Sequence, residues 1–237
     1  MTEKPLANRT ALVTGASRGI GAATAEALGK AGAHVILTAR TASDLEAVEE
    51  RIHQAGGSAT IAPMDLSDLE SIGRLGDAIA GRWDRLDALV LNAAMLGTLS
   101  PVPAIDAKEF SRLLTLNVAA QQALIAVFDP LLRRADPGRL IAVTSSVGAA
   151  PRAYWGAYGA SKAALDTLVA AYAEEQRNLG KVKVAILDPG ATRTKMRERA
   201  FPGEDPATLK GPEVVGERIA ALLADGFETG HRERVGS

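Results

Sequence analysis

Between Ser145 and Lys162 the chain reads SSVGAAPRAYWGAYGASK, which sets a hydroxyl, a phenol and an ammonium within one short stretch. Tyr158 and Lys162 stand four positions apart. A helix opening near Ala157 would put both side chains on one face, a turn apart. A phenol with a reference pKa of about 10 is a poor acid–base catalyst at neutral pH. A fixed positive charge beside it stabilises the phenolate and draws that value toward the working range. A serine hydroxyl aimed at the same point can hold a substrate oxygen by a hydrogen bond. By itself Tyr-x-x-x-Lys also describes a helix-start aromatic followed by a solvated lysine, so the meaning of the pair depends on what positions it.

Short apolar runs alternate with longer helix-patterned segments along the whole chain. The expected strands are Thr10–Thr14, His34–Thr38, Ala59–Met64, Ala88–Leu91, Leu140–Thr144 and Val182–Leu187. Most are continuous apolar runs, as required when helices cover both faces of a parallel sheet. Helices are expected over Ala22–Lys30, Ser43–Gln54 and Ala160–Asn178, the last with Ala164, Leu165, Leu168, Val169 and Tyr172 as a core-facing stripe. This alternation predicts an α/β fold, a single doubly wound parallel sheet of Rossmann type with helices on both faces. No Pro/Gly-rich linker divides it, so residues 1–237 are expected to form one domain.

The first strand runs into Thr14-Gly15-Ala16-Ser17-Arg18-Gly19-Ile20-Gly21, and a helical pattern follows at once. Glycines there let the backbone turn tightly and approach a pyrophosphate, and the helix start offers free N–H groups to it. The spacing is G-x-x-x-G-x-G rather than the commoner G-x-G-x-x-G. After the second strand, where a carboxylate would select the free ribose hydroxyl of NAD, the chain carries Ala39 and Arg40. Arg40 and Arg18 suit a 2′-phosphate, so NADP (NADPH) is the expected cofactor.

Composition narrows the alternatives. The 237 residues are 47% hydrophobic with a net charge of −1, which gives no electrostatic case for nucleic acid or an anionic membrane. The absence of cysteine excludes disulfides and thiolate metal sites. The opening MTEKPLANRT has no signal-like apolar core, and no later run reads as long enough to span a bilayer. A soluble, cytoplasmic protein acting on a small molecule, with no nucleic-acid or membrane partner, is expected.

Taken together, these residues resemble the short-chain dehydrogenase/reductase family over roughly 6–230. Thr14–Gly21 matches its TGxxxGIG motif and Tyr158-x-x-x-Lys162 its active-site motif, while Ser145 lies thirteen residues before the tyrosine, with Ser146 the neighbouring alternative. Asn117 falls at the family's fourth catalytic position. The resemblance implies a Ser-Tyr-Lys-Asn mechanism that moves hydride between NADP and a carbonyl or alcohol. Ser145 would hold the oxygen, Tyr158 would exchange the proton, and Lys162 would serve both the phenol and the nicotinamide ribose. Asn117 would anchor a water relay.

It further implies cofactor contacts from Gly15, Ser17, Arg18, Gly19, Ile20 and Gly21, from Arg40, and from Asp65 and Leu66 at the adenine. Asn92 and Ala93 stand where the family has NNAG, with Leu91 and Ala94 departing from that pattern. Pro189, Gly190, Thr192 and Thr194 match the segment that holds the nicotinamide carboxamide, and 191–212 corresponds to a mobile substrate lid. Without the resemblance, Asp65 reads as a turn or cap residue and Asp188-Pro189-Gly190 as a plain turn. Arg193, Lys195, Arg197 and Arg199 in the lid read as a solvated face or an anion preference. Arg152, Tyr154 and Trp155 read as pocket lining or loop packing.

The final residues, 231–237, read as a polar tail rather than the further strand with which relatives build tetramers. A homodimer is therefore expected, through the stretch 106–134 and the Ala160–Asn178 helix, with a tetramer as the alternative. Two other functions fit the same motifs: 3-oxoacyl-carrier-protein reductase, and a dinucleotide-binding regulator or scaffold without turnover.

Overall fold

The computed structural model describes residues 4–236. Seven strands form one parallel sheet in the order β3-β2-β1-β4-β5-β6-β7. They are β1 Thr10–Thr14, β2 His34–Thr38, β3 Ser58–Ile61, β4 Ala88–Leu91, β5 Gly138–Val143, β6 Val182–Asp188 and β7 His231–Arg234. Alternate residues of each central strand enter opposite cores. Val13, Val35 and Val90 pack under α1 (Gly19–Lys30), α2 (Ala42–Gln54) and α9 (Pro212–Asp225). Leu12, Ile36 and Leu89 pack under α3 (Leu69–Ala80), α5 (Ala120–Leu132) and α7 (Gly156–Leu179). With both faces covered, a continuous apolar run is the only strand pattern that satisfies them.

Strand order reverses beside β1, which neighbours both β2 and β4. The loops leaving the carboxyl ends of those strands diverge and leave a crevice, the place where open α/β sheets bind ligands. β3 ends at Ile61, earlier than expected, because Pro63 has no N–H to give the ladder. The backbone still hydrogen-bonds β2 through Ala62 and Met64 (2.8 and 2.9 Å).

Two expectations are corrected. Residues 231–234, read as a polar tail, form β7, parallel to β6 with Ala185 opposite His231 and Asp188 opposite Arg234. The backbone ladder holds this strand, with Arg218 gripping Glu233 through two bonds of 2.6 and 2.7 Å. The argument against a tetramer thereby loses its premise.

The second concerns the helical run Ala107–Leu132, which comprises α4 (Ala107–Leu114), a π-turn (Thr115–Ala119) and α5. Its 26 residues are long and apolar enough, by composition, to cross a bilayer, contrary to the sequence reading. Its Leu113, Leu124, Phe128 and Leu132 are fully buried within this fold, the behaviour of a core helix.

Candidate active site

The glycine turn links β1 to α1. Gly15 and Gly19 take positive φ (65° and 57°), a region that favours glycine. Gly21 is constrained by space instead. A Cβ there would stand 2.2 Å from the Gly15 carbonyl oxygen and 2.6 Å from Asn92 Nδ2. Asn92 follows β4 and stitches the turn, its Nδ2 donating to the Thr14 and Gly15 carbonyls (2.9 and 3.3 Å). Thr14 Oγ1 in turn accepts from the Asn92 and Ala93 amides (2.9 and 3.0 Å). The Asn92 side chain therefore shapes the cradle from behind, leaving the first-turn amides of α1 for an anion. Gly21→Ala is expected to weaken NADPH binding at least about tenfold and to lower the thermal midpoint, because the clash is with backbone. Quenching of tryptophan fluorescence and a melting curve would check both.

Arg18 and Arg40 are exposed and make no ion pair among the described residues. Asp65 is exposed and turns the chain by accepting from the Ser67 amide (2.9 Å). Leu66 is buried in the core.

At the other side of the crevice, α7 opens at Gly156, a turn earlier than expected, and carries Tyr158 and Lys162 on its inward face. Both are nearly inaccessible, at 7% and 3% exposure. Lys162 Nζ lies 5.8 Å from the Tyr158 ring centre and donates to the Val143 carbonyl at the end of β5 (2.9 Å). One of three ammonium protons is thus held by the fold, leaving two. Burial brings the lysine down to about 8, with the Asp166 carboxylate opposing that shift. The sequence predicts a phenol lowered by its lysine. Here burial pushes Tyr158 well above its usual value, the Asp188 carboxylate pushes it further, and a hydrogen bond with Ser145 pulls the other way.

Ser145 caps the short α6 (Ser146–Ala149), and both Ser145 and Ser146 line the cleft. Of the two, Ser145 is the one whose hydroxyl draws the Tyr158 phenol back toward its usual value. Asn117 sits in the π-turn and is fully buried. Its Oδ1 accepts from the Met95 amide, and its Nδ2 donates to the Met95 carbonyl and to Ser161 Oγ (2.9, 2.9 and 3.0 Å). Both amide protons are engaged, so Asn117 clamps the loop after β4 to α7, and a water relay would rest on its backbone.

The cleft between these groups has a volume of about 240 Å³. Ile20, Pro189, Gly190, Thr192 and Thr194 line it. Thr192 Oγ1 donates to the Pro189 carbonyl (3.1 Å), and Thr194 caps α8 (Lys195–Ala200) by accepting from the Arg197 amide (3.2 Å). Of the lid's basic residues only Arg197 faces the cleft, and Glu204 holds it through two bonds of 2.6 Å. Arg193, Lys195 and Arg199 are exposed and do not line it. Trp155 does, packing edge-on to Tyr158 and against Phe201 of the lid (5.9 and 5.5 Å). Arg152 lines the cleft as well, whereas Tyr154 points to solvent with 61% exposure. Sequence reasoning missed Leu96, Val147, Met196 and Arg234 in this lining, and took Asp188 for a turn residue. These come from separate elements with no shared spacing.

A doubly wound sheet with a glycine turn at its switch point and a Ser–Tyr–Lys cluster facing it across the crevice defines an oxidoreductase class. The family profile described as short chain dehydrogenase matches residues 9–205. The chain belongs to the short-chain dehydrogenase/reductase family. It is 37% identical over 223 residues to the oxidoreductase YciK of Escherichia coli (strain K12), covering 93% of this chain and 88% of that one. A short chain dehydrogenase structure from Pseudomonas syringae superposes with a TM-score of 0.95 at 33% identity, covering 99% of this chain and 97% of that one. Another, from Escherichia coli CFT073 and complexed with NADPH, gives a TM-score of 0.93 at 34% identity and covers both chains fully.

Proposed function

We propose that this oxidoreductase uses NADP to interconvert a carbonyl and an alcohol through Ser145, Tyr158 and Lys162. The observation that carries the reading is the pairing of a buried phenol with a buried ammonium, one turn apart, with the phenol lining a cleft that Ile20 of the glycine turn also lines. The residues fit the dinucleotide. Gly21 lets the start of α1 pack against the Gly15 carbonyl more closely than any side chain would allow, the first-turn amides of α1 suit a pyrophosphate, and Arg18 and Arg40 suit a 2′-phosphate. The NADPH-bound relative supports that choice. NADPH bound there supplies the hydride.

The chain's own residues then handle the oxygen and its proton. Ser145 donates a hydrogen bond to the carbonyl oxygen and orients it. Tyr158, protonated at neutral pH, gives its phenolic proton to the oxygen as charge develops on it. Lys162 stabilises the phenolate left behind and hydrogen-bonds the nicotinamide ribose with a proton that Val143 does not use. Asn117 keeps the π-turn against α7, so that its backbone can hold a water behind the lysine. Trp155 and Phe201 close the cleft against bulk water, with residues 191–212 acting as the lid. NADPH consumption with a panel of ketones, aldehydes and quinones tests the reading: turnover with one of these classes is expected, and NADPH binding without turnover on any would favour a scaffold role.

We also propose a cytoplasmic homodimer built on the outer faces of α4, the π-turn and α7. Half-buried Leu114, Val118, Ala164 and Leu168 support this surface. Such an interface would be two-fold and closed. Light scattering at micromolar concentration should return a dimer mass. A monomer mass would overturn the helix pairing, and a tetramer mass would implicate a second surface.

A further inference from the structure

We infer that Arg152 is a specificity-determining residue that selects a carbonyl substrate carrying a carboxylate. The inference rests on the proposed carbonyl–alcohol reaction and names a substrate class for it. Four charged side chains line the cleft that holds Ser145 and Tyr158, namely Arg152, Asp188, Arg197 and Arg234. Arg197 is engaged by Glu204 through two bonds of 2.6 Å, and Arg234 lies 3.6 Å from Asp188. Arg152 alone of the four has no partner of opposite charge among the described residues. The cleft is therefore left with one unanswered positive charge, in a chain whose net charge is −1.

The backbone is strained where it presents that charge. Residues 152–155 form a tight turn, closed by the Trp155 amide donating to the Arg152 carbonyl (3.1 Å). Tyr154 inside it takes a φ of 71°, in the left-handed region that favours glycine. The Ser100 amide pins the turn by donating to the Tyr154 carbonyl (3.1 Å), while the Tyr154 side chain is left in solvent. The strain thus serves the two ends of the turn, Arg152 and Trp155, both of which line the cleft. Trp155 links the cation to the chemistry, its ring centre standing 5.9 Å from that of Tyr158 and 5.9 Å from Arg152 Cζ. Phe201 of the lid lies 5.6 Å from the same guanidinium carbon. Two aromatic rings therefore screen Arg152 from water, which strengthens its pairing with an anion.

One planar guanidinium matches the two oxygens of one carboxylate. A phosphate dianion would call for a second free cation, and Arg197 and Arg234 are both engaged. With the carbonyl oxygen at Ser145 and Tyr158, the carbon chain of the substrate would cross Trp155, and Leu96, Val147 and Met196 supply apolar lining for it.

The test sets ω-oxo carboxylates of graded chain length against the matching alkanals, with NADPH, in the unmodified protein and in Arg152→Gln and Arg152→Lys. At the best length the ω-oxo acid should exceed its alkanal in kcat/KM by at least about tenfold. Arg152→Gln should remove that preference mainly through KM, and Arg152→Lys should restore part of it. Equal kcat/KM for acid and alkanal at every length in the unmodified protein overturns the inference. So does an equal loss on both substrates in Arg152→Gln, which would make the residue a clasp for the lid through Phe201. A second arm needs no turnover. In calorimetric titration of the NADP-loaded protein, hexanoate should bind at least about tenfold more tightly than hexanamide, a difference that Arg152→Gln abolishes. Equal affinities overturn the inference, and tighter binding of hexyl phosphate than of hexanoate overturns the choice of a carboxylate. The binding preference present with no turnover on any carbonyl would remove the proposed reaction and leave the carboxylate site standing.

Discussion

Tyr158→Phe should lower turnover by about 10²-fold or more while leaving NADPH affinity almost unchanged. The substitution removes one oxygen and keeps the ring that Trp155 packs against at 5.9 Å, so the cleft wall survives. The lost group is a proton donor in a site at 7% exposure, where water is poorly placed to replace it. Lys162→Ala should behave differently and damage both turnover and cofactor binding. Its ammonium is asked to stabilise the phenolate and to hold the ribose, and its removal also strands the Val143 carbonyl. Steady-state kinetics beside a fluorescence titration separate the two patterns. Unchanged turnover in Tyr158→Phe would remove the phenol from the chemistry.

NADPH should bind about 30-fold more tightly than NADH, a difference of about 2 kcal/mol from charge-assisted bonds to the 2′-phosphate. Arg18 and Arg40 are the cations available for this, both exposed and without an acid partner among the described residues. No carboxylate follows β2 to select a free ribose hydroxyl, since the positions after Thr38 hold Ala39 and Arg40. Arg40→Asp should erase or reverse the preference by replacing an attraction with a repulsion. Calorimetric titration with each cofactor checks it, and equal affinities in the unmodified protein would refute the assignment.

The sheet was legible wherever a strand is covered on both faces, because burial there leaves an uninterrupted apolar run such as Ala88–Leu91. β7 was not legible for the converse reason. It is an edge strand, and its sequence His231-Arg232-Glu233-Arg234 answers to charges on α7, α9 and β6 rather than to an apolar core. Tyr158 and Lys162 could be placed side by side because four residues make one helical turn, whereas Ser145 and Asn117 were named from the family resemblance. Their partners could not be read, because Val143, Met95 and Asp188 reach them only through the sheet. The π-turn around Asn117 likewise has no compositional mark, since one extra residue in a helical turn changes no side-chain pattern on that length scale.

Hydride transfer itself is tested most directly with NADPH carrying deuterium at nicotinamide C4, incubated with a carbonyl compound that supports turnover. The product alcohol should carry deuterium on its carbinol carbon, with the hydroxyl proton drawn from solvent by way of Tyr158. An alcohol free of deuterium for both faces of labelled C4, or NADPH consumption with no alcohol formed, would contradict the account.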